Sequence, residues 1–300
     1  MISTAADGGA GRVFVLGAGR AGRSLARAFV VAGIDVVGLH GRHAEPTASP
    51  PITAGPLPQA LGAASVVLVT VRDAQLGDAL RQLADTSLAP HAVVLHASGA
   101  TDPAEASVLR SRGHPVGTMH PLVPLANPDR APAVLRDAWI GVDGDPGAIA
   151  AGRVLAAGIG AHALTIPPGE KPRYHAAAVF AANFPVVVAA LAERLLVEAG
   201  VLESEARAAT LGLMSAAVSN LETGRPHDVL TGPIARGDVA SVLGHLSALA
   251  NDAPALAAYV TLSRAALTLA RERGTSAERL AEISAALDDV AYVHRPPNDF

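Results

Sequence analysis

The feature that most constrains this chain is a glycine-rich turn between a short apolar run and a helical pattern. Residues 13–16 are apolar and predict a buried strand, and residues 24–29 have helical spacing. The order strand, G-x-G-x-x-G turn and helix is typical of a dinucleotide-binding unit, in which the helix start holds the phosphates. An ordinary glycine turn between strand and helix is the alternative. The six residues of the turn, all expected to contact a cofactor, are Gly17, Ala18, Gly19, Arg20, Ala21 and Gly22.

The end of the next predicted strand, residues 34–40, bears on which dinucleotide binds. Proteins that bind NAD usually carry an acidic residue about 20 positions beyond the glycines, where it binds the ribose 2′-hydroxyl. Here Gly41, Arg42 and His43 stand at that point, and the first acidic residue is Glu45. Because Arg42 can pair with a 2′-phosphate, the sequence favours NADP(H) over NAD(H). The alternative is that Arg42 and His43 form a solvated loop.

Alternating apolar runs and helical segments over residues 1–168 predict an α/β fold with a Rossmann-type parallel sheet. Residues 169–300 show only helical periodicity and predict an all-α second domain. The segment 46–58 is expected to be an irregular crossover, and the tail, 295–300, is expected to be irregular. Further strands are expected at 64–71, 91–96, 115–120, 139–142 and 161–165, and helices at about 147–157 and at 171–199, 203–222, 238–250, 254–273 and 276–290.

Composition argues against several classes of function. The net charge is -4 and aromatic residues make up 3% of the chain, which disfavours nucleic-acid binding. The chain has no cysteine, so it has no disulfide or thiolate site, and its eleven histidines lack the spacing of a metal site. No signal peptide is visible, and the long uncharged run 174–192 favours a buried helix over a membrane span. These features predict a cytoplasmic protein without a metal or a membrane partner.

Polar residues at the predicted strand ends, Arg72 among them, are expected to face the cofactor, because ligands bind outside the carboxyl ends of parallel strands. His120, at the end of the predicted strand 115–120, could face a nicotinamide or a substrate, or its ring could pack under Pro121. Asp73 is better explained as the N-cap of the next helix than as a cofactor contact. The expected cofactor contacts at these ends are Thr70, Val71, Ser98, Gly99 and His120.

Two further polar groups fall in the helical part. Tyr174, His175 and Asn183 lie on the first long helix, among alanines and valines, and a buried histidine there needs a hydrogen-bonding partner. Its ordinary pKa of about 6.5 suits proton donation, although a satisfied core histidine is the alternative. Asn220 and the loop 231–238 form the other group. Arg236 in that loop could bind an acidic group, or only contact Asp238 in a capped connection.

The motifs of this chain together resemble a bacterial family that joins a Rossmann-like domain to a helical domain of uncharacterised function. That family is similar to ketopantoate reductase, pyrroline-5-carboxylate reductase, 6-phosphogluconate and β-hydroxyacid dehydrogenases, and deazaflavin-dependent NADP reductases. The resemblance implies a 6-phosphogluconate dehydrogenase-like helical domain, a nicotinamide between the domains and a homodimer formed through the helices. The motifs are the glycine turn with His96-Ala97-Ser98-Gly99-Ala100, Met119-His120-Pro121-Leu122, Tyr174-His175-Ala176-Ala177-Ala178 and residues 230–238.

The same resemblance implies roles for individual residues. In ketopantoate reductase and the β-hydroxyacid enzymes a lysine on the first helix of the second domain is the acid/base, and an asparagine follows it. By position His175 replaces that lysine and Asn183 matches the asparagine, while Lys171, one turn earlier, is the alternative acid/base.

The expected activity is that of an NADP(H)-dependent oxidoreductase acting on a small carbonyl or imine, such as a 2-keto acid like ketopantoate or a cyclic imine. His175 would donate the proton, Asn183 and Asn220 would orient the substrate, and Arg236 would anchor an acidic group. The competing class is a non-catalytic NADP-binding sensor or scaffold, which the replacement of the family's lysine motivates.

Overall fold

The structure, a computed structural model, describes residues 11–293, with side chains described to residue 289. The chain divides into two compact units, residues 1–185 and 186–300. The first unit therefore includes the helix that begins at Lys171, whereas the sequence places the domain boundary at residue 168. The predicted irregular tail lies outside the described residues.

The first unit is built on one eight-stranded sheet with the order β3-β2-β1-β4-β5-β6-β7-β8. Its first six strands follow the Rossmann order, and the predicted fold class is confirmed. The strands are β1 (Arg12–Leu16), β2 (Asp35–His40), β3 (Ile52–Thr53), β4 (Val66–Val69), β5 (Val93–His96), β6 (Val116–Pro121), β7 (Trp139–Gly144) and β8 (His162–Thr165).

Two expectations about this sheet are wrong. Strand β7 pairs antiparallel with β6, so the sheet is not parallel throughout. The helix between them, Ala131–Leu135, is too short to return the chain along the sheet, as a parallel neighbour requires. The segment 46–58 is not wholly irregular, because β3 lies within it and pairs with β2. Its two residues are too few to give a strand pattern in the sequence.

Helices cover both faces of the sheet, which explains why its strands read as continuous apolar runs. Successive residues of β1 point to opposite faces. Val13 and Val15 pack in one core with Phe29, and Phe14 packs in another with Leu80. The helices of this unit are α1 (Arg20–Val31), α2 (Asp73–Ala84), α3 (Ser107–Arg110), α4 (Ala131–Leu135), α5 (Pro146–Gly158) and α6 (Lys171–Ala178), with 3₁₀ turns at Gln59–Ala63, Pro103–Ala106 and Pro128–Arg130.

Asp73 is not the N-cap of α2, as the sequence suggested. It is the first helical residue, and Arg72 occupies the cap position without a side-chain hydrogen bond to the helix. The carboxylate lies in the first turn, where it interacts favourably with the helix dipole, so the residue type suits both positions.

The predicted helix 171–199 is continuous but irregular. After α6, residues Val179–Asn183 form a π turn, and α7 (Phe184–Glu198) follows. Pro185 lacks a backbone N–H and its ring clashes with the carbonyl four residues earlier, so a wide turn before it relieves the conflict. In place of the expected bend at Pro185, the structure has a π turn just before this residue.

The expectation that the run 174–192 is buried is wrong. By length and composition the helix 171–198 could cross a membrane, and none of its apolar window is buried inside the chain; Ala253–Glu272 passes the same test but is partly buried. Phe180 is 67% exposed and Val186 is 69% exposed. The run is apolar on every side of the helix, so its sequence pattern does not show which side is buried.

The second unit is helical, as predicted. Asp238 caps α11, accepting a hydrogen bond from the Ser241 N–H at 3.1 Å, and Ser276 accepts one from the Arg279 N–H at 3.5 Å. Gly200 and Gly274 have positive φ at helix ends, as expected of C-terminal glycines. Besides α7, its helices are α8 (Glu203–Thr223), α9 (Pro226–Val229), α10 (Pro233–Arg236), α11 (Val239–Ala248), α12 (Ala253–Glu272) and α13 (Ala277–Val293).

Candidate active site

The glycine turn between β1 and α1 has a backbone that other residues could not adopt without strain. Gly17 has φ of +120°, and a Cβ there would lie 2.7 Å from the Thr70 carbonyl carbon. A Cβ on Gly22 would collide with the carbonyl oxygen of Gly17. The Thr70 hydroxyl donates to that same oxygen at 2.7 Å and ties the turn to the end of β4. The two glycines therefore allow strand, turn and helix to pack closely.

The start of α1 is open to an anion. On Gly19 a Cβ would meet nothing within 4 Å, so a ligand can approach the backbone there. Among the described residues no side chain caps the helix, and its first turn holds no acidic residue. The backbone N–H groups and the positive end of the helix dipole are thus available to a phosphate. These are the features that a dinucleotide requires at this turn.

A cleft of about 530 Å³ lies at this turn, between the carboxyl ends of β1, β2 and β4. Six of the twelve predicted cofactor contacts line it, whereas Arg20, Ala21, Gly22, Ser98, Gly99 and His120 do not. Arg72, expected at the same edge because it follows β4, also lines the cleft, as do Gln75 and Asp78 of α2, which the sequence did not indicate. The six are Gly17, Ala18, Gly19, Arg42, Thr70 and Val71.

The charges of the cleft suit a phosphate on the ribose. Arg42 and Arg72 both line it, and neither has an ion pair within the part of the chain that the structure describes. Glu45 is half-buried, and its carboxylate binds the Arg23 guanidinium at 2.6 Å. Burial lowers the pKa of His40, which bonds Thr53, so this histidine adds no charge near neutral pH. Among the described residues that line the cleft, the arginines without an ion pair are therefore Arg42 and Arg72.

A second polar group lies at the ends of the next two strands, β5 and β6. We call it the histidine cluster, and it consists of His96 on β5, His120 on β6, and Tyr174 and His175 on α6. A Cβ built on Gly99 would lie 2.6 Å from Nδ1 of His175 and 2.7 Å from Nε2 of His120. The two nitrogens therefore converge on the same point over this glycine, where any larger residue would displace them.

Two glycines make room for the cluster. Gly99 leaves the space between the rings of His120 and His175, whose centroids are 6.0 Å apart. Gly141 on β7 is the direct partner of His120 on the neighbouring strand β6, and a Cβ on this glycine would collide with the Tyr174 hydroxyl. That hydroxyl lies 2.8 Å from Nδ1 of His120. Tyrosine and histidine thus pack as a pair against the backbone of β7.

The cluster holds ring nitrogens without partners. In the described chain neither nitrogen of the buried His96 has a partner with hydrogen-bond geometry, and Nδ1 of His175 also lacks one. Burial, reinforced by the charge of Lys171, lowers the pKa of His96 to about 4, and the nearby Asp102 backbone opposes this only in part. Burial also lowers the pKa of His120 to about 4. Both rings are neutral near pH 7, and unpaired buried nitrogens suit a site that binds a polar ligand.

Lys171, the alternative acid/base and the only lysine of the chain, is 1% exposed. Its ammonium donates to the Thr118 hydroxyl at 2.7 Å and lies 3.8 Å from the Asp143 carboxylate. Burial lowers its pKa to about 8, and raises the pKa of Asp143. Lys171 therefore ties α6 to the sheet, and its amine is directed at β6 and β7.

The other predicted site residues lie on four different elements of the chain. Ser98 accepts a hydrogen bond from the Thr101 N–H at 3.0 Å, so its hydroxyl shapes the loop after β5. Asn183 ends the π turn and is exposed. Asn220 on α8 and Arg236 on α10 belong to the second unit, and their roles at a substrate stay predictions.

The loop 231–238 has the form of the capped connection that the sequence allowed. Gly232 and Gly237 have positive φ on either side of α10, and Arg236 lies 3.9 Å from Asp238. The guanidinium is 65% exposed. It therefore remains accessible to a ligand, and its role as an anchor stays a prediction.

Comparison with known proteins agrees with this fold. The model of a domain of unknown function, DUF2520, matches residues 138–266, and a search of curated proteins finds no match. A candidate NADP oxidoreductase from Bacteroides fragilis is 20% identical, with a TM-score of 0.67, covering 86% of this chain and 98% of its own. A protein from Thermotoga maritima is 23% identical, with a TM-score of 0.69, covering 87% of this chain and 98% of its own.

A pyrroline-5-carboxylate reductase from Coxiella burnetii is 13% identical, with a TM-score of 0.58, covering 96% of this chain and 100% of its own. At these identities the likeness establishes the fold of this chain, a Rossmann-type sheet followed by helices. It does not extend to an activity.

Proposed function

We propose that the protein is an NADP(H)-dependent oxidoreductase that acts on a small carbonyl or imine compound. The observation that carries this proposal is the juxtaposition, on one sheet edge, of an anion-binding glycine turn and the histidine cluster. When bound, NADP(H) would supply or accept a hydride at that edge. The fold is shared with a candidate NADP oxidoreductase and a pyrroline-5-carboxylate reductase, which supports the same class.

The proposed cofactor is NADP(H) rather than NAD(H). Arg42 stands where an NAD-binding protein usually has an acid, and Arg72 lines the same cleft. Glu45 cannot serve in place of that acid while Arg23 binds its carboxylate. Two unpaired guanidiniums suit a 2′-phosphate, which accepts charge-assisted hydrogen bonds.

The chemistry of reduction needs one proton and an oriented substrate. Addition of a hydride to the carbon of a C=O or C=N group leaves an electron pair on oxygen or nitrogen, which then takes a proton. We assign that proton to His175, which would regain it from solvent, and positioning to Asn183 and Asn220. Arg236 would bind the carboxylate of a 2-keto acid or of a cyclic imino acid. A placed proton donor is worth about 10² to 10⁴-fold in rate.

The test is transfer of deuterium from NADPH labelled at its reactive carbon to a panel of 2-keto acids and cyclic imines. We expect deuterium in the reduced product of at least one class, detected by mass spectrometry. A His175→Ala variant should lose turnover by about 100-fold or more, while its affinity for NADPH stays unchanged. Unchanged turnover in that variant would remove His175 from the mechanism.

A non-catalytic NADP-binding sensor or scaffold is the second candidate. Burial of the only lysine favours it, because the amine is held in the sheet and is not free for acid/base work. NADPH binding without deuterium transfer to either class, and without any effect of His175→Ala, would support this function instead.

We also propose that the protein is a cytoplasmic homodimer formed through the helical part. The exposed apolar side chains of the helix 171–198, among them Phe180, Phe184 and Val186, support a surface that a second copy covers. Sedimentation should give the mass of a dimer, and Val186→Glu should shift it to the monomer. Recovery of the protein only with membranes would contradict the proposal.

A further inference from the structure

We propose that Tyr174 is a positioning residue that fixes the ring of His120, so that the Nε2–H of this histidine donates a hydrogen bond to the substrate. The inference rests on the proposed oxidoreductase function and adds a second histidine with a separate task. His175 supplies the proton, and His120 polarises the C=O or C=N bond without giving up its own.

The hydrogen bond between the Tyr174 hydroxyl and Nδ1 of His120 has a direction that decides where the proton of His120 resides. The Tyr174 hydroxyl has one proton and lies 2.8 Å from Nδ1 of His120 but 3.4 Å from the His120 carbonyl oxygen. The 2.8 Å distance fits either direction, but the Gly141 backbone already gives the phenolic oxygen a hydrogen bond, so we infer that the hydroxyl donates to Nδ1. Burial raises the pKa of Tyr174 above its usual range, which keeps that proton in place.

The direction of this hydrogen bond fixes the tautomer of His120. A neutral imidazole carries one proton, and the nitrogen that accepts a hydrogen bond cannot be the one that bears it. With Nδ1 accepting from Tyr174, the proton of His120 resides on Nε2. This nitrogen points to the space over Gly99, on which Nδ1 of His175 also converges. A substrate oxygen or nitrogen that binds beside Gly99 would accept a hydrogen bond from this Nε2–H.

Burial and neighbouring charges keep the His120 ring neutral. Burial lowers the pKa of His120, the charges of Lys171 and His175 lower it further, and only Asp73 opposes them. These are the charged groups that act on the ring. The ring is therefore neutral across the physiological range, and a neutral donor stabilises developing negative charge without competing for the proton that His175 delivers.

The tautomer can be measured on the whole protein without cofactor or substrate. Two-bond ¹H–¹⁵N correlation spectra distinguish protonated from unprotonated ring nitrogens, and His120→Gln assigns the His120 signals by their loss. We expect an Nε2–H pattern in the wild type and a mixture of tautomers in Tyr174→Phe. A wild type with the proton on Nδ1 would overturn the inference, and this result needs no variant of Tyr174 to fold.

The chain contains a matched control. Tyr259 lies 2.9 Å from Nδ1 of His245 in the second unit, so Tyr259→Phe removes the same kind of contact elsewhere. With the substrate identified by deuterium transfer, Tyr174→Phe should lower kcat about tenfold with little change in KM, and Tyr259→Phe should change neither. Equal kcat in the two variants would refute the positioning role.

Failure of the proposed function gives a different pattern. Without any turnover in the wild type, the spectra still report whether Tyr174 fixes the tautomer. Turnover in the wild type with an unchanged tautomer in Tyr174→Phe would overturn this inference alone.

Discussion

Two tyrosine–histidine pairs in this chain have nearly the same geometry and very different surroundings. In the first unit the Tyr174 hydroxyl lies 2.8 Å from Nδ1 of His120, with ring centroids 5.7 Å apart and an interplanar angle of 82°. In the second unit Tyr259 and His245 give 2.9 Å, 5.6 Å and 89°. The contact itself therefore does not distinguish a candidate site from an ordinary pair.

The surroundings do distinguish them. His120 lies at the carboxyl edge of the sheet, is largely buried and shares the space over Gly99 with His175, whereas His245 is exposed on α11. Burial keeps the first ring neutral, and the sheet edge is where a Rossmann fold binds its ligands. The comparison teaches that place in the fold, more than the pair itself, makes the histidine available for chemistry.

The largest effect that tests this comparison is loss of the histidine itself. We expect His120→Gln to lower kcat about 100-fold, as loss of one preorganised hydrogen-bond donor does in other sites. The matched variant His245→Gln should leave kcat unchanged. The measurement is steady-state turnover with the identified substrate. A similar loss of kcat in both variants would show that His120 has no special role in catalysis.

A smaller effect should follow from filling the space over a glycine. Gly99→Ala places a methyl group against both His120 and His175, and we expect about a tenfold loss of kcat from their displacement. Gly244→Ala, beside His245, meets nothing within 4 Å. It should leave kcat unchanged and raise the free energy of unfolding by about 0.5–1 kcal/mol, as Gly to Ala does inside helices. Full activity in Gly99→Ala would contradict the placement of the substrate.

The buried histidines also predict a dependence of stability on acid. The folded-state pKa values of His96 and His120 are about 4, below the ordinary 6.5, so the unfolded chain binds more protons between these values. The free energy of unfolding should therefore fall as pH drops from 6.5 to 4, by at most about 1.4 kcal/mol per pH unit for each ring. Denaturant titrations followed by Trp139, the only tryptophan, report on the first unit. His120→Gln should reduce this slope and His245→Gln should not.

An effect on stability smaller than that of the two histidines together is predicted for Lys171 on α6. Its pKa in the folded protein is about 8, below the ordinary 10.5, so the unfolded chain binds the extra proton between these values. The free energy of unfolding should rise with pH over that range, and Lys171→Met should remove the rise. Because the chain has no other lysine, a rise that persists in this variant would show that Lys171 is not its source.

Much of the cofactor side could be predicted from the sequence because its signals are local. The glycine turn occupies six consecutive positions, and strand and helix follow from short periodic patterns, so β1, α1 and the cleft were expected. Arg42 was found in the same way, by its place after β2. Arg72 was expected in the same way, and it lies three positions beyond the end of β4.

The histidine cluster could not be derived in the same way, because its contacts are long-range. His120 and Tyr174 are 54 residues apart, and their contact depends on the antiparallel pairing of β7, which places Gly141 beside His120. Nothing in the local pattern of β7 indicates its direction. Burial of Lys171 against Thr118 and Asp143 likewise depends on where α6 packs, so the sequence could not decide between this lysine and His175.

The most direct test of the account is calorimetric titration of the protein with NADPH and NADH. We expect the wild type to bind NADPH at least about tenfold more tightly, because a charge-assisted hydrogen bond to the 2′-phosphate is worth about 1.5–3 kcal/mol. Arg42→Ala should bring the two affinities close together, whereas Arg207→Ala, an exposed arginine of α8, should change neither. Binding of neither dinucleotide, or an undiminished preference in Arg42→Ala, would contradict the account.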